Sequence, residues 1–364
     1  MSLLRTPCHA WHVARGGRMV EFGGWEMPVQ YTSIVTEHHA VRRAAGLFDI
    51  AHMGRLKFTG PDATRFLDNL LTNQVASLSM GQIKYSLITN EQGGILDDVL
   101  VYRLPDCHLL VVNASNRLKI VDWIERHRQN FSVTVEDQTT THFMAALQGP
   151  RALSLLQPLV KIDLPSIKYY YGSPATLLGQ PAFVSRTGYT GEDGVEIIIP
   201  ATHAQELWDR LMETGASQGL APAGLGCRDT LRLEAAMPLY GHELNESIDP
   251  LTAGLDFAVR LHDKEFMGQT ALVAIQSRTD RQRRIGLVLA GKRIAREGAD
   301  VYQGDTRVGS VTSGTFSPTL EKSIAMAYVT PAAAETGIAL SVDIRGQREP
   351  ATTVKLPFYK RPKA

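Results

Sequence analysis

The pattern of apolar residues changes along the chain, and this change constrains the fold more than any other feature. Over the first two thirds, helical periodicity alternates with short apolar runs of strand length. From about Arg284 onward only short β-like runs remain, divided by Gly, Pro and Ser. The basic polar segment 277–284 (SRTDRQRR) has the composition of a linker. We therefore predict an α+β fold, with a large region over residues 1–276 and a small all-β domain over residues 284–364.

Periodicity and capping signals predict individual elements in the first region. Helices are expected at residues 37–45, at 61–71, after Ser115 or Asn116, from a capping box of Thr202 and Gln205 to Gly215, and at 228–235. Strands are expected at residues 55–59, 95–104, 109–113, 132–135 and 195–199.

Charge and cysteine usage exclude several classes of protein. The chain has 38 basic and 37 acidic residues, so it lacks the excess charge of a nucleic-acid-binding protein. The cysteines Cys8, Cys107 and Cys227 form no CxxC pair, which favours a reducing compartment. No apolar run is long enough to span a membrane, and the N-terminus lacks a signal peptide. We expect a cytoplasmic bacterial protein or, in a eukaryote, a processed protein of the mitochondrial matrix.

Two apparent cofactor motifs fail on inspection. The run Gly286 to Lys292 nearly matches a phosphate-binding loop, but Arg293 stands where Ser or Thr should bind magnesium, and the run has the composition of a strand. His38 and His39 are neighbours on a predicted helix, so they point in different directions, and no HExxH or Cys–His cluster is present. We expect no metal.

The segment 90–102 (NEQGGILDDVLVY) places two carboxylates in an apolar strand after a Gly-Gly turn. Because side chains alternate along a strand, Asp97 and Asp98 should face opposite sides. A carboxylate among apolar neighbours is costly unless it is paired or has a task. The segment alone leaves open whether the inward acid is functional or is satisfied by backbone N–H groups.

Two further segments carry polar groups beside glycines. In 185–196 (SRTGYTGEDGVE), a tight Gly-rich loop precedes Glu196, which suits the amino-pyrimidinone edge of a pterin but also fits a hairpin with an edge-strand Glu. In 224–234 (GLGCRDTLRLE), glycines precede a helix that carries Arg228 and Arg232 on one face. These arginines suit a carboxylate partner, or they form a solvated pair with Asp229 or Glu234.

Ordered motifs over nearly the whole chain resemble the aminomethyltransferase (T protein) family of the glycine cleavage system. The segments that carry the resemblance include 19–28 (MVEFGGWEMP), 46–53 (GLFDIAHM), 93–98 (GGILDD), 188–194 (GYTGEDG), 228–235 (RDTLRLEA) and 312–320 (TSGTFSPTL).

The resemblance implies a fold, a reaction and a partner. The fold is a three-domain, cloverleaf-like arrangement with a C-terminal β-barrel and folate in a central channel. The reaction takes a one-carbon unit from the aminomethyl-dihydrolipoyl H protein to tetrahydrofolate, releases ammonia and forms 5,10-methylenetetrahydrofolate. Neither a metal nor a flavin takes part.

The resemblance also assigns roles to individual residues. Asp98 matches the family's essential aspartate, and Arg228 matches the arginine beside the active site, so both are expected to be catalytic. Glu196 matches the acid that anchors the pterin. The residues expected to bind folate are Glu196, Tyr85, Met53, Tyr189, Tyr240, Asp98, Arg228 and Arg361.

Two other functions share this fold. A folate-dependent amine demethylase needs a flavin domain, and the chain has no strand–GxGxxG–helix unit to hold one. A non-catalytic folate-binding protein, serving iron–sulfur assembly or regulation, would carry a Lys-Gly-Cys-Tyr-type motif, which the sequence lacks. Retention of Asp98, Glu196 and Arg228 favours the enzyme.

Overall fold

The computed structural model describes residues 2–362. The chain forms two compact units. The first comprises Met1–Ser86 and Val99–Arg228, and the second comprises Leu87–Asp98 and Asp229–Ala364. The domain division that we place at the 277–284 linker stays a prediction.

The first unit is built around a six-stranded sheet that is packed between helices. Buried apolar side chains such as Leu47, Leu147 and Ile197 form its core together with Trp208. In order of pairing, the strands are Gly172–Leu177, Gln180–Ser185, Gly194–Pro200, His142–Gln148, Ala45–Asp49 and Leu220–Pro222.

Two further sheets complete the strands of the first unit. A three-stranded sheet near the N-terminus has the order Leu4–Arg5, Trp25–Gln30, Arg18–Phe22. A five-stranded sheet has the order Ile83–Thr89, Ile95–Arg103, His108–Val112, Gly54–Thr59, Thr134–Asp137. Its first two strands run on into the segment Leu87–Asp98 of the second unit.

Five helices of the first unit lie close to predicted positions, and two short ones, His9–Ala14 and Ala152–Leu156, were not predicted. Their bounds are His9–Ala14, Ile34–Arg43, Ala63–Leu70, Arg117–His127, Ala152–Leu156, Ala204–Gly215 and Leu225–Glu234, the last of which ends in the second unit.

Local chemistry explains the largest shift between a predicted and an observed helix. The helix expected at 37–45 begins earlier, because Ser33 Oγ accepts a hydrogen bond from Thr36 N and caps Ile34–Arg43. It ends before Ala45, since that residue starts a buried strand.

The predicted capping box of Thr202 and Gln205 is wrong. Thr202 lies in a 3₁₀ turn, Ala201–His203, and the helix Ala204–Gly215 begins after it with no side-chain cap. The Gln205 side chain donates instead to Asp209 Oδ2, at 3.0 Å. The 3₁₀ turn satisfies the first backbone groups of the helix in place of a cap. The end of the helix at Gly215 was predicted correctly.

The second unit contains a closed six-stranded barrel, which confirms the α+β class with a small C-terminal β domain. Its strands, in order around the barrel, are Arg283–Leu289, Lys322–Val329, Thr306–Ser317, Asp300–Gln303, Ala339–Ile344 and Gln347–Val354. The segment that resembles a phosphate-binding loop starts on the first strand, which ends at Leu289, and its last three residues follow the strand. One further helix, Gln269–Gln276, precedes the barrel.

A buried ion pair ties the helical part of the second unit to its barrel. Arg232 Nη1 lies 2.8 Å from Glu243 Oε2, and Arg232 Nη2 donates to Ser313 Oγ at 2.9 Å. Thr312 donates to the other oxygen of Glu243, and Leu239 N donates to Oε2. Burial alone would raise the pKa of Glu243, but Arg232 and these hydrogen bonds lower it overall.

Neutralising Glu243 tests this pair. We expect Glu243→Gln to lower the free energy of unfolding by about 3 kcal/mol at neutral pH, because Arg232 is then a buried charge without its main partner. Since the pKa of Glu243 is lowered by folding, the stabilisation is present above its unfolded-state pKa and is lost as pH falls through its folded-state pKa. Urea titrations at several pH values measure the difference from wild type.

The matched control is Glu335→Gln, which changes an exposed glutamate of the same unit. We expect this change to alter the free energy of unfolding by less than about 0.5 kcal/mol. Equal effects of the two substitutions would contradict the assigned role of the Glu243 pair.

Among the residues described, no helix is long and apolar enough to cross a membrane.

Candidate functional site

Glu196 lies in the interior of a sheet and not at its edge. Its strand, Gly194–Pro200, is paired on both sides, so that Glu196 stands opposite Ala146 on one neighbour and Ser185 on the other. The residue is only 5% exposed. Thr187 Oγ1 donates a 2.5 Å hydrogen bond to Glu196 Oε2. The alternative prediction is therefore wrong in placing Glu196 on an edge strand, although the strands that flank the Gly-rich loop do form an antiparallel hairpin.

The environment of Glu196 makes its ionisation harder than in water. Its pKa is raised, chiefly because burial removes the carboxylate from water. The hydrogen bond from Thr187 and the positive charge of Arg228 lower the pKa without outweighing burial. Tyr102 is fully buried beside this carboxyl group, and burial together with the Glu196 charge raises the pKa of the phenol. Such a perturbed pKa beside a cation is typical of binding and catalytic sites.

Close backbone packing fixes the helix that carries Arg228. The helix Leu225–Glu234 begins directly after Gly224, where a Cβ would lie 2.4 Å from Val29 O. Gly224 N donates to Glu37 Oε2 at 2.9 Å, and this hydrogen bond to a buried carboxylate fixes the backbone just before the helix. Glycine is required at position 224 because the two backbones approach so closely.

The guanidinium of Arg228 stacks on an aromatic ring. Its Cζ lies 4.8 Å from the centroid of the Tyr189 ring, a cation–π arrangement. Burial lowers the pKa of Arg228, and the charge of Glu196 acts against this. Within residues 2–362, the buried Nη1 atom has no hydrogen-bond partner. Leaving a buried N–H unpaired is costly, so this atom is a candidate donor to a ligand.

The loop between Thr187 and Glu196 is the tight turn that its glycines predict. A Cβ at Gly188 would lie 2.0 Å from the Gln148 side chain, and Gly191 has φ +77°. Arg42 Nη1 donates to Glu192 Oε1 at 3.0 Å, and both side chains are nearly inaccessible to solvent. These contacts hold the loop against the sheet and the helix that carries Arg42.

An ion pair fixes the far end of this loop. Arg186 Nη2 lies 2.6 and 2.8 Å from the two carboxylate oxygens of Asp193. Arg186 is itself 8% exposed. Hydrogen bonds between two ionised groups are stronger than neutral ones, so this contact restrains the loop at Asp193.

The segment with Met53 and His52 follows a buried strand of the same unit. Ala51 N donates to Asp49 Oδ1 at 2.9 Å, which turns the chain. His52 is 2% exposed, and burial together with the charge of Arg228 lowers its pKa to about 3, so the imidazole is neutral. Met53 is partly buried, directly after it.

Tyr85 lies on the strand Ile83–Thr89 and is partly buried. Its carbonyl accepts a hydrogen bond from Asn73 Nδ2 at 3.0 Å, which fixes the backbone at this position.

In the second unit, the two adjacent aspartates differ in burial, as strand alternation predicts. Asp97 is fully buried, and Asp98 is partly exposed. The Gly-Gly turn before them is real: Gly93 has φ +83°, and a Cβ at Gly94 would lie 1.8 Å from Glu246 O. The backbone at the start of the aspartate strand is thus closely packed.

Tyr240 and Arg361 are the other predicted site residues of the second unit. Tyr240 is partly buried, and its hydroxyl donates to Ile95 O at 3.3 Å, on the strand that carries Asp98. Arg361 is exposed near the end of the described chain.

The predicted residues Glu196, Arg228 and Tyr189 come together in one unit. Thr187 and Tyr102 also belong to this group. Neither was predicted as a site residue, although Tyr102 lies in the segment 90–102 and Thr187 in the segment 185–196. The sequence does not reveal the role of the Thr187 hydroxyl, because only the conformation of the loop brings it to Glu196.

The described residues contain no group of three His, Cys, Asp or Glu side chains that could hold a metal ion.

Comparison with known proteins defines the class of fold. Residues 8–263 match the GCVT N-terminal domain, and residues 282–360 match the glycine cleavage T-protein C-terminal barrel domain. The solved structure of glycine cleavage system aminomethyltransferase T from Bartonella henselae superposes with a TM-score of 0.92 at 34% identity, covering 99% of each chain. The fold is thus that of a solved aminomethyltransferase.

Full-length relatives extend this class to a family. A protein of Rubrobacter xylanophilus named aminomethyltransferase is 50% identical over 361 residues, which cover 99% of this chain and 95% of the relative. An aminomethyltransferase of Moorella thermoacetica is 47% identical over 362 residues, covering 99% of both chains. The chain belongs to the glycine cleavage T-protein family of aminomethyltransferases.

Removing the charge of Glu196 should stabilise the ligand-free protein. Folding raises the pKa of this acid, so Glu196 stays protonated to a higher pH in the folded state than in the unfolded state. The free energy of unfolding of the wild type therefore falls as pH rises above the unfolded-state pKa. We expect Glu196→Gln to raise the free energy of unfolding at about pH 8 and to change it little at about pH 4. Urea titrations at both pH values measure the effect.

Glu213→Gln is the control, since that glutamate is exposed on the helix Ala204–Gly215. A loss of stability in Glu196→Gln at every pH would instead assign Glu196 a structural role.

Proposed function

We propose that this protein transfers a one-carbon unit from an aminomethyl-dihydrolipoyl H protein to tetrahydrofolate. The reaction releases ammonia and yields 5,10-methylenetetrahydrofolate and dihydrolipoyl H protein. Family membership over the full chain supports this function. The observation that carries it within the chain is the buried Glu196, with its raised pKa, close to Arg228 and Tyr189.

Glu196 is the proposed anchor of the pterin ring. A carboxyl group accepts two hydrogen bonds side by side, which suits the adjacent amino and N–H groups of a pterin. Burial strengthens such bonds, because no water competes for the carboxyl oxygens. Thr187 occupies one side of Oε2, which restricts the orientation of the carboxyl group. The ionised form of Glu196 then favours ligands that donate from two neighbouring nitrogens, because a protonated carboxyl group presents an O–H donor in place of one acceptor.

Tyr189 and Arg228 are proposed to form a wall and a donor of the same ligand site. The stacked pair presents a flat, polarised surface on which a heterocycle can lie. Arg228 Nη1 is the proposed donor to a ligand oxygen, since it is buried and without a partner in the described part of the chain. Met53 and Tyr85 are proposed to contribute further contacts from the first unit.

Asp98, Tyr240 and Arg361 belong to the second unit, and their proposed roles follow from the family resemblance. Folate carries a glutamate tail, and an exposed cation such as Arg361 suits its carboxylates. Tyr240 is proposed to bound the folate cavity, and Asp98 is proposed to act on the reacting atoms.

The proposed role of Asp98 is electrostatic. Loss of ammonia from the aminomethyl group leaves a sulfur-stabilised cation, which N5 of tetrahydrofolate attacks with loss of its proton. The C–S bond then breaks and leaves an N5 iminium, N10 closes onto the carbon with loss of its proton, and the released lipoyl thiolate takes up a proton. A carboxylate held near this carbon stabilises the positive charge as it develops, which is the largest single contribution in many enzymes. Asp98 forms no covalent bond in this scheme, and the departing nitrogen leaves as ammonia.

Positioning supplies the remaining catalysis. Aligning the folate nitrogen with the lipoyl arm of the H protein converts an encounter of two substrates into a step within one complex. The loop of residues 188–194 is held by Arg42 and Arg186 pairs, so the proposed pterin site needs little reordering on binding.

Exchange of the two adjacent aspartates separates catalysis from packing. We expect Asp98→Asn to keep the fold and tetrahydrofolate binding, and to lower turnover by about a hundredfold or more, because it removes charge with little change in volume. Steady-state turnover with aminomethyl-loaded H protein measures this loss. Asp97→Asn is the matched change on the opposite face of the strand. A larger loss of turnover in Asp97→Asn than in Asp98→Asn would contradict the role proposed for Asp98.

Shortening Glu196 tests the proposed pterin anchor. We expect Glu196→Ala to weaken tetrahydrofolate binding by about tenfold or more, since it removes two hydrogen bonds from a dry site. Anaerobic titration calorimetry measures the affinity, with Glu213→Ala as the exposed control. Tight binding by wild type without any turnover would favour a non-catalytic folate-binding protein, and unchanged binding in Glu196→Ala would exclude the proposed anchor.

A further inference from the structure

Gln148 ends the strand His142–Gln148 and is fully buried. Its single amide nitrogen, Nε2, donates to two backbone carbonyls, Thr187 O at 3.0 Å and Val195 O at 3.2 Å. These carbonyls lie at the two ends of the Gly-rich loop. One side chain therefore joins the place where the chain leaves the sheet to the place where it returns.

The rest of the Gln148 amide is also used. Its Oε1 accepts a hydrogen bond from Thr190 Oγ1 at 3.0 Å, and Thr190 is fully buried. A Cβ at Gly188 would lie 2.0 Å from Gln148 Oε1, and a Cβ at Gly194 would lie 2.7 Å from its Nε2. Glycine at these two positions leaves the space that the amide occupies.

The two carbonyls that accept from Gln148 belong to Thr187 and Val195, which determine the position and hydrogen bonding of the Glu196 carboxyl group. Thr187 accepts from Gln148 through its carbonyl and donates to Glu196 Oε2 through its hydroxyl. Val195 directly precedes Glu196 in the strand. A shift of either carbonyl would move the Thr187 hydroxyl relative to the Glu196 carboxyl group.

We propose that Gln148 is a positioning residue for the Glu196 carboxyl group, holding the Thr187 hydroxyl against it so that the ligand site is formed before the ligand arrives. This inference rests on the proposed function, because it assumes that Glu196 binds tetrahydrofolate. Gln148 acts through Thr187 and Val195 and has no role in the chemical step. The contacts of Gln148 are distinct from those of Arg42 and Arg186, which bind the charged side chains of the loop.

Replacing Gln148 with Met keeps the length of the side chain and removes its hydrogen bonds. We expect Gln148→Met to weaken tetrahydrofolate binding about tenfold, as the loss of preorganised bonds implies. The hydrogen bond from Thr187 lowers the pKa of Glu196, so its loss should move the break in the pH profile of binding to higher pH. Titration of the ligand itself is common to all variants and does not contribute to the difference.

A milder pair of substitutions covers the case in which Gln148→Met does not fold. Thr190→Val removes the hydroxyl that donates to Gln148 Oε1, and Thr190→Ser retains it. We expect weaker binding and a shifted pH break in Thr190→Val and wild-type behaviour in Thr190→Ser. Phe143→Leu, a change in the fully buried core at the other end of the same strand, controls for lost stability.

The measurement is anaerobic calorimetry of tetrahydrofolate binding from about pH 4 to about pH 8. A weakened affinity with a shifted pH break in Gln148→Met or Thr190→Val, absent from Phe143→Leu and from Thr190→Ser, supports the role of Gln148. Normal wild-type binding with an unchanged affinity and pH break in both variants overturns this inference alone. An absence of binding in folded wild type overturns the proposed function together with it.

Discussion

The site of the first unit depends on one costly arrangement, a carboxyl group buried on an interior strand. Pairing on both sides of the strand Gly194–Pro200 fixes the backbone of Glu196 and excludes water from it. Burial raises the pKa of this acid, and a hydrogen bond from Thr187 offsets only part of the effect. The Gly-rich loop and the helix that carries Arg228 orient this carboxyl group, but their hydrogen bond and charge do not fully offset the effect of burial on its pKa.

A second buried glutamate of the same chain, Glu243, has the contacts expected of a residue with a purely structural role. Glu243 has Arg232, Thr312 and Leu239 N as partners, and its pKa is lowered despite burial. Glu196 has fewer donors, and its pKa is raised. Two carboxyl groups with similar burial therefore have pKa shifts of opposite sign, because Glu243 has more donors and one of them is an arginine in direct contact. The less satisfied group is the one with capacity left for a ligand.

Much of this could be predicted from the sequence, where the signal is local. Alternation along an apolar strand separates Asp97 from Asp98, and their unequal burial follows. The change of pattern near Arg284 predicts the all-β part, which is the closed barrel. The glycines of the loop at 188–194 predict a close approach of chain segments, and Gln148 is what they approach.

The rest required contacts between distant parts of the chain. The sequence does not tell whether the strand of Glu196 lies at an edge or in the interior, because one of its two neighbours, His142–Gln148, is distant from it in the chain. Gln148 meets Thr187 and Val195 across about forty residues, and no spacing rule connects them. The failed capping box has a local cause, since a 3₁₀ turn before the helix competes with the side-chain cap.

A crystal structure of the protein with bound tetrahydrofolate tests the central claim most directly. We predict that the amino and N–H edge of the pterin lies within about 3 Å of the Glu196 carboxyl oxygens, since that is the usual length of such hydrogen bonds. Thr187 should keep its bond to Oε2, and the ring should lie against the Arg228 and Tyr189 pair. A pterin bound elsewhere, with Glu196 unchanged and without a ligand contact, would contradict the account.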